Sequence, residues 1–355
     1  MAGIGLAASM ICCGTSISDR IDALMQQKSR SAQFNGTVLV AIQGKIVYEQ
    51  AFGSADLEWN VPNDKQTKFE IGSLTKQFTA LLVLQLVNEG RMRLDGHISN
   101  YLPYYRRDTG ARVTVHELLS HTSGIPNFIT LPGFVDGPAN RTHYSPEEFV
   151  RKYCSGDLEF EPGSRFKYSN SGYFILGAIL ERATGQSYES LLHRRILDPL
   201  EMKDSGYTHT EELIPHRARG YERVGSSLRN ARFYDMSIPF SAGALYSNVE
   251  DLYKWDQALY TDRLLPLKYR DLLFRPNLQN YGYGWAFLMP KEGQPFAGDT
   301  IPMHGGAIFG FQALIQRIPR ERDLIVLLDN TDDRTLLEIA MEIRQIIWGS
   351  ATKKG

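Results

Sequence analysis

Strand patterns at both ends of the chain, separated by a long helical stretch, constrain the fold more than any other feature of the sequence. Near the amino terminus, apolar residues predict a β-hairpin over 36–42 and 46–52. Three more strands are predicted near the carboxyl terminus: 283–288, 311–318 and 324–328. One helix is predicted before the hairpin, over 17–27, and another after the last strand, over 331–348. The two strand-rich ends are expected to form one interrupted sheet.

The stretch between them, roughly 92–275, carries helical patterns broken by glycine- and proline-containing loops. We therefore predict the α/β (α+β) class: an antiparallel sheet flanked by amino- and carboxyl-terminal helices, plus an inserted, mostly helical domain. The sheet domain is assigned to 15–90 and 276–350, and the helical domain to 91–275. This division places the active site in the cleft between them.

Ser73 and Lys76 stand three residues apart at the start of the strongest helical pattern, SLTKQFTALLVLQLVNE, over 73–89. Its apolar spacing predicts an amphipathic helix that faces the core. Residues i and i+3 lie on one face of a helix, so the Lys76 amine can reach the Ser73 oxygen. A serine becomes nucleophilic when a base takes its proton, and a partly buried lysine can be that base. Taken alone, the pair more readily fits a capping serine and a solvated lysine.

A second group of polar residues, Tyr168 and Asn170, lies where a turn marked by Pro162 and Gly163 leads into a helical pattern over 173–184. Side chains on such a loop can project into a cleft. A tyrosine there can move protons if nearby cations favour its phenolate, and an asparagine offers a donor and an acceptor to a substrate amide or to the lysine. Without other evidence, an Asx turn with a packed aromatic ring explains the pair better.

A third group, His304-Gly305-Gly306, is followed by Ala307 and stands between predicted strands. Glycines within a strand pattern indicate close approach of another backbone or of a ligand. A substrate could lie along this edge as an added strand, and the Ala307 N–H is a candidate oxyanion donor beside the Ser73 N–H. Taken alone, a glycine bulge beside a structural histidine is the simpler interpretation.

In this order, the three groups resemble the motifs of the serine β-lactamase and penicillin-binding protein superfamily: Ser-x-x-Lys, Tyr-x-Asn and a Lys/His-x-Gly strand motif. The resemblance runs from about residue 34 to about residue 346 and includes several other segments: FEIG before Ser73, LD at 94–95, YLP at 101–103, LLSHTSG at 118–124, EPG at 161–163, and SAGAL at 241–245 with Ser247. These segments are similar to the branch that contains class C β-lactamases, D-Ala-D-Ala carboxypeptidases, D-aminopeptidases and related esterases.

The resemblance implies a β-lactamase/transpeptidase-like fold and a serine hydrolase that forms an acyl-enzyme on Ser73. Lys76 and Tyr168 would transfer protons. The residues implied in substrate binding are Asn170, His304, Gly305, Gly306 and Ala307. The Ser73 and Ala307 N–H groups would form the oxyanion hole. No equivalent of the class A β-lactamase glutamate is visible in the sequence, so water would be activated by Tyr168 or Lys76 for deacylation.

His304 is the main departure from class C β-lactamases, which carry lysine at the corresponding position. A lysine is a fixed cation for a substrate carboxylate, whereas a histidine with a pKa near about 6.5 is mostly neutral at pH 7. In having histidine at this position, the chain resembles the carboxypeptidase and aminopeptidase members of the superfamily. We therefore expect β-lactams to acylate Ser73 and turn over slowly, with an activity that depends on pH through His304.

Composition argues against several other classes of function. The formal net charge is −1, so no global field favours nucleic acid as a partner. No run of roughly eighteen apolar residues predicts a membrane span. His116 and His121 superficially match a zinc-binding helix, but a spacing of five separates them by roughly 140° around a helix. No metal or other cofactor is expected. The expected partner is a small-molecule or peptide substrate, and the oligomeric state stays open.

The three cysteines argue against a disulfide framework, because Cys12 and Cys13 are adjacent and Cys154 is far away. Cys154 is predicted to be a buried thiol. The apolar run 2–13 resembles the end of an export signal, with Cys12 or Cys13 as a conceivable lipid-attachment residue, and so favours the periplasm or cell envelope. It lacks a positively charged start, so a frayed terminus and a cytoplasmic location stay open.

Two classes of function follow from these residues. The first is a serine hydrolase that acts on D-amino-acid peptides, β-lactams or small esters, with a carboxylesterase of the same fold as a variant. The second is a non-catalytic penicillin- or peptidoglycan-binding protein that keeps the fold. Because Ser73, Lys76, Tyr168 and Asn170 are all present, we favour the enzyme.

Overall fold

The computed structural model describes residues 16–292, 296–333 and 335–349. The apolar run 2–13, with Cys12 and Cys13, lies outside the described residues, so the expectation of export stays a prediction. Cys154 is buried, as predicted, and burial raises the pKa of its thiol. None of the described helices combines the length and the apolar character needed to cross a bilayer.

Six antiparallel strands form the central sheet: β1 (Gly36–Ile42), β2 (Lys45–Ala51), β3 (Ala286–Leu288), β4 (Ile301–Ile308), β5 (Phe311–Ile318) and β6 (Asp323–Asp329). Their spatial order is β3-β4-β5-β6-β1-β2. The first strand in the chain therefore pairs with the last one, with Val38 opposite Leu327. This pairing confirms the interrupted antiparallel sheet that the sequence predicts.

Five helices account for most of the packing: α1 (Ile17–Arg30), α2 (Thr75–Asn88), α3 (Asn170–Thr184), α4 (Val249–Ala258) and α5 (Leu336–Trp348). Shorter helices and turns lie mostly between α2 and β3: Gly72–Leu74, Ile98–Tyr101, Arg107–Gly110, Val115–Leu119, Phe128–Thr130, Pro138–Arg141, Pro146–Tyr153, Tyr188–Leu192, His193–Leu197, Asp198–Leu200, Phe240–Gly243, Leu267–Leu273 and Leu278–Asn280. Short strands complete the fold: Ser54–Asp56, Val61–Pro62, Phe69–Glu70, Gly206–Tyr207, Tyr221–Val224, Ser227–Asn230 and Leu245–Ser247.

The sheet separates two apolar cores, because successive side chains of a strand point to opposite faces. In β1, Val38 and Val40 belong to the core that α1 and α5 cover, whereas Leu39 and Ala41 belong to the core that contains α2 and α4. Strands β1 and β6 are buried on both faces, which explains their nearly continuous apolar sequences. The sheet is thus a rigid layer under the helical region.

Helix α2 differs from the prediction in one important way, because it is buried all round rather than amphipathic. Every residue from Thr75 to Leu86 is buried. Some of its polar side chains find partners inside the protein: Thr79 donates to the Ser241 carbonyl at 2.6 Å, and Gln77 accepts from the Trp255 indole at 2.9 Å. These polar positions contact other helices.

Several predicted bounds shift by a few residues. The strand predicted over 283–288 is the short β3, and the helix predicted over 331–348 begins at Leu336. In the helical region, Tyr188–Leu192 is followed by a π-helical turn, His193–Leu197. The assignment of 15–90 with 276–350 and of 91–275 to separate domains stays a prediction.

Candidate active site

Ser73 lies on a 3₁₀ turn, Gly72–Leu74, that leads directly into α2. The preceding strand Phe69–Glu70 is anchored by pairing with Leu245–Ser247. Gly72 has a φ of 50°, a left-handed conformation that favours glycine. The turn therefore presents the Ser73 side chain, which is half-buried, at the start of a rigid helix.

Lys76 lies one turn into α2, and its side chain is fully buried. Its Nζ is 3.0 Å from the Ser73 Oγ, 2.8 Å from the Asn170 Oδ1 and 2.7 Å from the Ala242 carbonyl oxygen. None of these three partners is a carboxylate. Burial without a counter-ion lowers the pKa of Lys76 well below its usual value.

A neutral Lys76 amine fits this geometry without an unsatisfied group. The Asn170 Oδ1 and the Ala242 carbonyl can only accept, so the two N–H bonds of the amine point at them. The nitrogen lone pair is then left for the third contact, with Ser73. In this arrangement the Ser73 hydroxyl donates to Lys76, which is the contact a general base requires.

Tyr168 approaches Ser73 from the loop that enters α3. Its hydroxyl is 2.9 Å from the Ser73 Oγ, and burial raises its pKa well above the usual value. The Lys76 Nζ lies 4.9 Å from the centre of the Tyr168 ring, but it does not outweigh this burial. The phenolate considered from the sequence is therefore disfavoured, and Tyr168 is a neutral phenol that donates to Ser73.

Asn170 is the first residue of α3, one residue after the cap Ser169. Its backbone N–H donates to the Asn127 side chain at 3.2 Å, which fixes the start of the helix. The Oδ1 is engaged by Lys76, and the residue lines the same cavity as Ser73. The amide nitrogen of the side chain is thus available to a ligand in that cavity.

His304 lies in β4 and is buried, with a side-chain environment that differs from the sequence expectation. Its Nδ1 donates to the Gly305 carbonyl at 2.6 Å, so its Nε2 accepts from the Tyr281 hydroxyl at 2.9 Å. Burial, followed by the nearby Lys76, lowers the pKa of His304 from 6.5 to about 4. The imidazole is therefore neutral over most of the physiological range, and a titration near 6.5 is not supported.

The glycines of the third motif let β4 pack directly against the Ser73 turn. A Cβ on Gly306 would lie 2.0 Å from the Ile71 carbonyl oxygen, and a Cβ on Gly72 would lie 2.8 Å from the Ala307 nitrogen. Gly305, in contrast, is exposed, and a Cβ there would meet no heavy atom nearer than 4.0 Å. The predicted close approach of a second backbone is thus confirmed for Gly306, while Gly305 leaves the strand edge open.

A cavity of about 340 Å³ opens beside Ser73. Of the five residues implied in substrate binding, Asn170 and Ala307 line it together with Ser73, whereas His304, Gly305 and Gly306 do not. The rest of the wall is mostly apolar and aromatic: Phe128, Ile129, Val135, Tyr234, Pro239, Ile308, Phe309 and Phe311. Ser73 and Ala307 share one wall, so their backbone N–H groups remain the candidate oxyanion hole, a role that stays a prediction.

His121 is a residue of this site to which the sequence reasoning gave no role. It is buried, has a φ of 57°, and its Nδ1 accepts from the Ser169 backbone N–H at 3.2 Å. Its ring centre lies 4.2 Å from that of Tyr168 and 4.7 Å from that of Tyr281. The segment LLSHTSG was the available signal, but a positive φ and ring packing cannot be read from it.

The two histidines of the apparent zinc pattern have separate partners. His116 bonds through its Nδ1 to the Tyr283 hydroxyl at 2.6 Å, whereas His121 contacts Ser169. Within the described ranges, no three His, Cys, Asp or Glu side chains come close enough to hold a metal ion.

The fold is that of the β-lactamase-like serine hydrolase superfamily. A family model described as Beta-lactamase matches residues 19–345. Because this match covers most of its length, the chain belongs to the β-lactamase family, within the superfamily of serine β-lactamases and penicillin-binding proteins.

Two relatives and two solved structures illustrate the similarity. Putative penicillin-binding protein PbpX of Bacillus subtilis (strain 168) is 31% identical over 315 residues, which cover 88% of this chain and 75% of the relative. Protein flp of Staphylococcus aureus (strain MW2) is 29% identical over 328 residues, which cover 88% of this chain; the chain spans only 62% of that relative's length.

Among solved structures, a penicillin binding protein from Bacillus halodurans has a TM-score of 0.80 at 25% identity, covering 92% of this chain and 99% of its own. A D-stereospecific amidohydrolase from Streptomyces sp. has a TM-score of 0.73 at 25% identity, covering 87% of this chain and 94% of its own. The fold thus includes hydrolases as well as penicillin-binding proteins.

Proposed function

We propose that the chain is a serine hydrolase that forms an acyl-enzyme on Ser73. The observation that carries the proposal is the convergence of a buried amine that has no counter-ion and a phenol on one hydroxyl, at 3.0 and 2.9 Å. Within the superfamily, a non-catalytic binding protein would need the cleft but not this proton-transfer geometry. The contacts therefore favour catalysis over binding alone.

In the acylation step, the Ser73 hydroxyl proton passes to the Lys76 amine while the Oγ–C bond to the substrate carbonyl forms. The oxyanion that develops faces the backbone N–H groups of Ser73 and Ala307. As the intermediate collapses, the bond to the leaving nitrogen or oxygen breaks, and that atom receives a proton. The Tyr168 hydroxyl is placed to deliver it, with the Lys76 ammonium restoring the phenol proton.

Deacylation follows the same proton transfers, with water as the nucleophile. Water gives its proton to the neutral Lys76 amine as its oxygen attacks the acyl carbon, and the bond to Ser73 Oγ breaks. The proton then returns to Ser73. No separate glutamate is needed, in keeping with the absence of the class A pattern from the sequence.

The substrates we propose are D-aminoacyl amides or peptides and small esters, with β-lactams as slowly released acylating agents. Two observations support this ranking. The neutral His304 offers no fixed cation beside β4, the position where class C β-lactamases carry lysine. In addition, the similar amidohydrolase from Streptomyces is named as D-stereospecific.

The test is the intact mass of the protein after exposure to a penicillin and, separately, to a fluorophosphonate. Wild type is expected to gain one adduct, mapped to Ser73, and the Ser73→Ala variant none. Ser169→Ala is the matched control, because this buried hydroxyl lies beside Tyr168 and makes no hydrogen bond within the described part of the chain. Unmodified wild-type protein with both reagents would favour the binding protein instead.

Turnover is then compared on a small panel: a D-Ala-D-Ala peptide, D-aminoacyl p-nitroanilides with their L enantiomers, and p-nitrophenyl esters. We expect hydrolysis of the esters and a preference for D over L amides. Cephalosporin turnover as fast as that of a dedicated β-lactamase would contradict the inference from His304.

A further inference from the structure

A second cavity adjoins the one that contains Ser73. It encloses about 580 Å³, and five residues line both cavities: Arg232, Tyr234, Ile308, Phe309 and Phe311. Arg232 is the one cationic side chain among the described residues of the Ser73 cavity. An acyl group bonded to Ser73 that extends along the aromatic residues of this cavity would therefore reach the guanidinium group of Arg232.

Arg232 is held in place by specific contacts rather than extended into solvent. Its Nε is 3.1 Å from the Glu222 Oε1, and its guanidinium carbon lies 4.8 Å from the centre of the Phe309 ring. A longer contact of 3.2 Å joins it to the exposed Asp136. The side chain is 42% exposed, so part of the guanidinium remains available to a ligand.

The charge of Arg232 is only partly neutralised by these contacts. The carboxylate of Glu222 is shared with Arg229, which contacts its other oxygen at 2.8 Å. Burial alone would raise the pKa of Glu222, but hydrogen bonds from Arg229 and Arg232 outweigh it and lower the pKa, so this carboxylate stays ionised. Glu222 divides its charge between two arginines, and the second acid on Arg232, Asp136, is exposed and screened by solvent, so part of the Arg232 charge stays without a close counter-charge.

The second cavity continues the positive region. Arg217 and Arg219 line it, and Arg219 is paired with Glu58. Arg217 makes no ion pair within the described ranges; it interacts electrostatically with Glu70, which lines the same cavity and whose pKa is raised to about 7 by burial although Arg217 opposes this shift. Beyond Arg232, therefore, an anionic ligand would meet a further cation that lacks a close counter-ion.

The charge of Asp332 is opposite to that of Arg232 in the first cavity. Among the described residues, Asp332 is the only acidic side chain that lines this cavity. One of its oxygens accepts the backbone N–H of Arg223 at 2.8 Å. A substrate ammonium could therefore compete for this end of the cavity. Because Asp332 is already engaged by a backbone donor, and Arg232 leads into a cavity with further arginines, the balance favours an anion.

We propose that Arg232 is a specificity-determining residue that binds a carboxylate at the far end of the substrate acyl group. The inference rests on the proposed acyl-enzyme on Ser73 and narrows its substrates to acyl groups with an apolar middle and an anionic end. The aromatic wall takes the apolar middle, and the guanidinium takes the carboxylate through charge-assisted hydrogen bonds.

The experiment compares three p-nitrophenyl esters of equal acyl length: the monoester of adipic acid, the hexanoate and the 6-aminohexanoate. We expect kcat/KM for the adipate ester to exceed that for the hexanoate by about tenfold, which is the size of one partly exposed charge-assisted contact. In the Arg232→Gln variant, this ratio should fall to about one, mainly through a higher KM.

Arg320→Gln is the matched control. It removes an exposed arginine whose ion pairs are with Asp299 and Glu321 and which lines neither cavity, so the adipate preference should be retained. A preference that survives in Arg232→Gln, or no preference in wild type, would overturn the proposal. Preference for the aminohexanoate would overturn it in favour of Asp332. Ser73→Ala tests the acyl-enzyme separately. This variant should abolish the initial burst of p-nitrophenol release with all three esters.

Discussion

Among the described residues, Lys76 and Arg317 are basic side chains that are almost completely buried, and their surroundings have opposite effects on their pKa. Lys76, beneath the cleft, contacts a hydroxyl, an amide oxygen and a carbonyl. Arg317, between β5 and α4, contacts the buried Asp256 at 2.6 Å. Burial lowers the pKa of Lys76, whereas for Arg317 the carboxylate outweighs burial and the pKa is raised.

The difference does not come from the aromatic rings, because both cations have them. The Lys76 Nζ lies 4.9 Å from the centre of the Tyr168 ring, and the Arg317 guanidinium lies 4.7 Å from that of Tyr260. The carboxylate of Asp256, followed by Tyr260, raises the pKa of Arg317, and Lys76 has no carboxylate partner. A buried cation with a counter-ion is structural and keeps its proton, whereas one without a counter-ion becomes a base.

The largest effect is expected at Lys76. Lys76→Met keeps the volume and the apolar stem but removes the base, so acylation of Ser73 should slow by about 10²–10⁴-fold. The rate is measured as mass-adduct formation with a penicillin, together with an unfolding curve to show that the variant is folded. Near wild-type acylation would mean that another group takes the Ser73 proton.

At the other buried cation, the expected effect is on stability. Asp256→Asn leaves Arg317 charged and unpaired in the core, which should lower the free energy of unfolding by about 3–5 kcal/mol in a urea titration. Acylation per folded molecule should be unchanged. The control is Glu321→Gln in the exposed pair with Arg320, where a change below about 1 kcal/mol is expected. If Asp256→Asn and Glu321→Gln lowered the free energy of unfolding equally, burial would not distinguish the two ion pairs.

Tyr168→Phe tests which group is the base. Loss of the phenol proton should reduce kcat/KM by about 10²-fold, because Tyr168 donates to Ser73 and then to the leaving group. The pH profile is the decisive measurement. The rate should fall as pH decreases through the lowered pKa of Lys76, because protonation removes the base, and this limb should persist in Tyr168→Phe. Its disappearance would identify a phenolate base.

His304 should have the smallest effect, visible in the pH dependence of stability. Its pKa is about 4 in the folded chain against 6.5 in the unfolded chain. Between these values only the unfolded chain binds the proton, so acidification from pH 6.5 to pH 4 should cost roughly 3 kcal/mol or less. His304→Gln should remove this part of the slope in urea titrations. The remaining pH dependence in this variant would come partly from His121, whose pKa is also lowered by burial.

The sequence predicted the topology well because its signals are local. Alternating and continuous apolar runs indicated β1, β2, β5 and β6, and the glycines after His304 indicated a close backbone approach. The spacing of Ser73 and Lys76 on one helix face indicated their contact. Each of these inferences depends on geometry that repeats within one element, or on a steric requirement of one residue.

The same reasoning was wrong where several elements meet. Helix α2 was predicted to be amphipathic, but it is buried all round, because partners such as Ser241 and Trp255 come from distant segments. The shift of the His304 pKa required knowing that it is buried near Lys76. Arg232 and His121 had no signal of their own, because their roles depend on two cavities and on a cluster of rings.

The sequence by itself determined which chemical groups are available and that strands at both ends form one sheet, because residue identity and periodicity are properties of the chain. The tertiary structure decided their charge states. Whether an amine holds its proton depends on the dielectric and the charges around it, and those are supplied by residues that are far apart in the sequence.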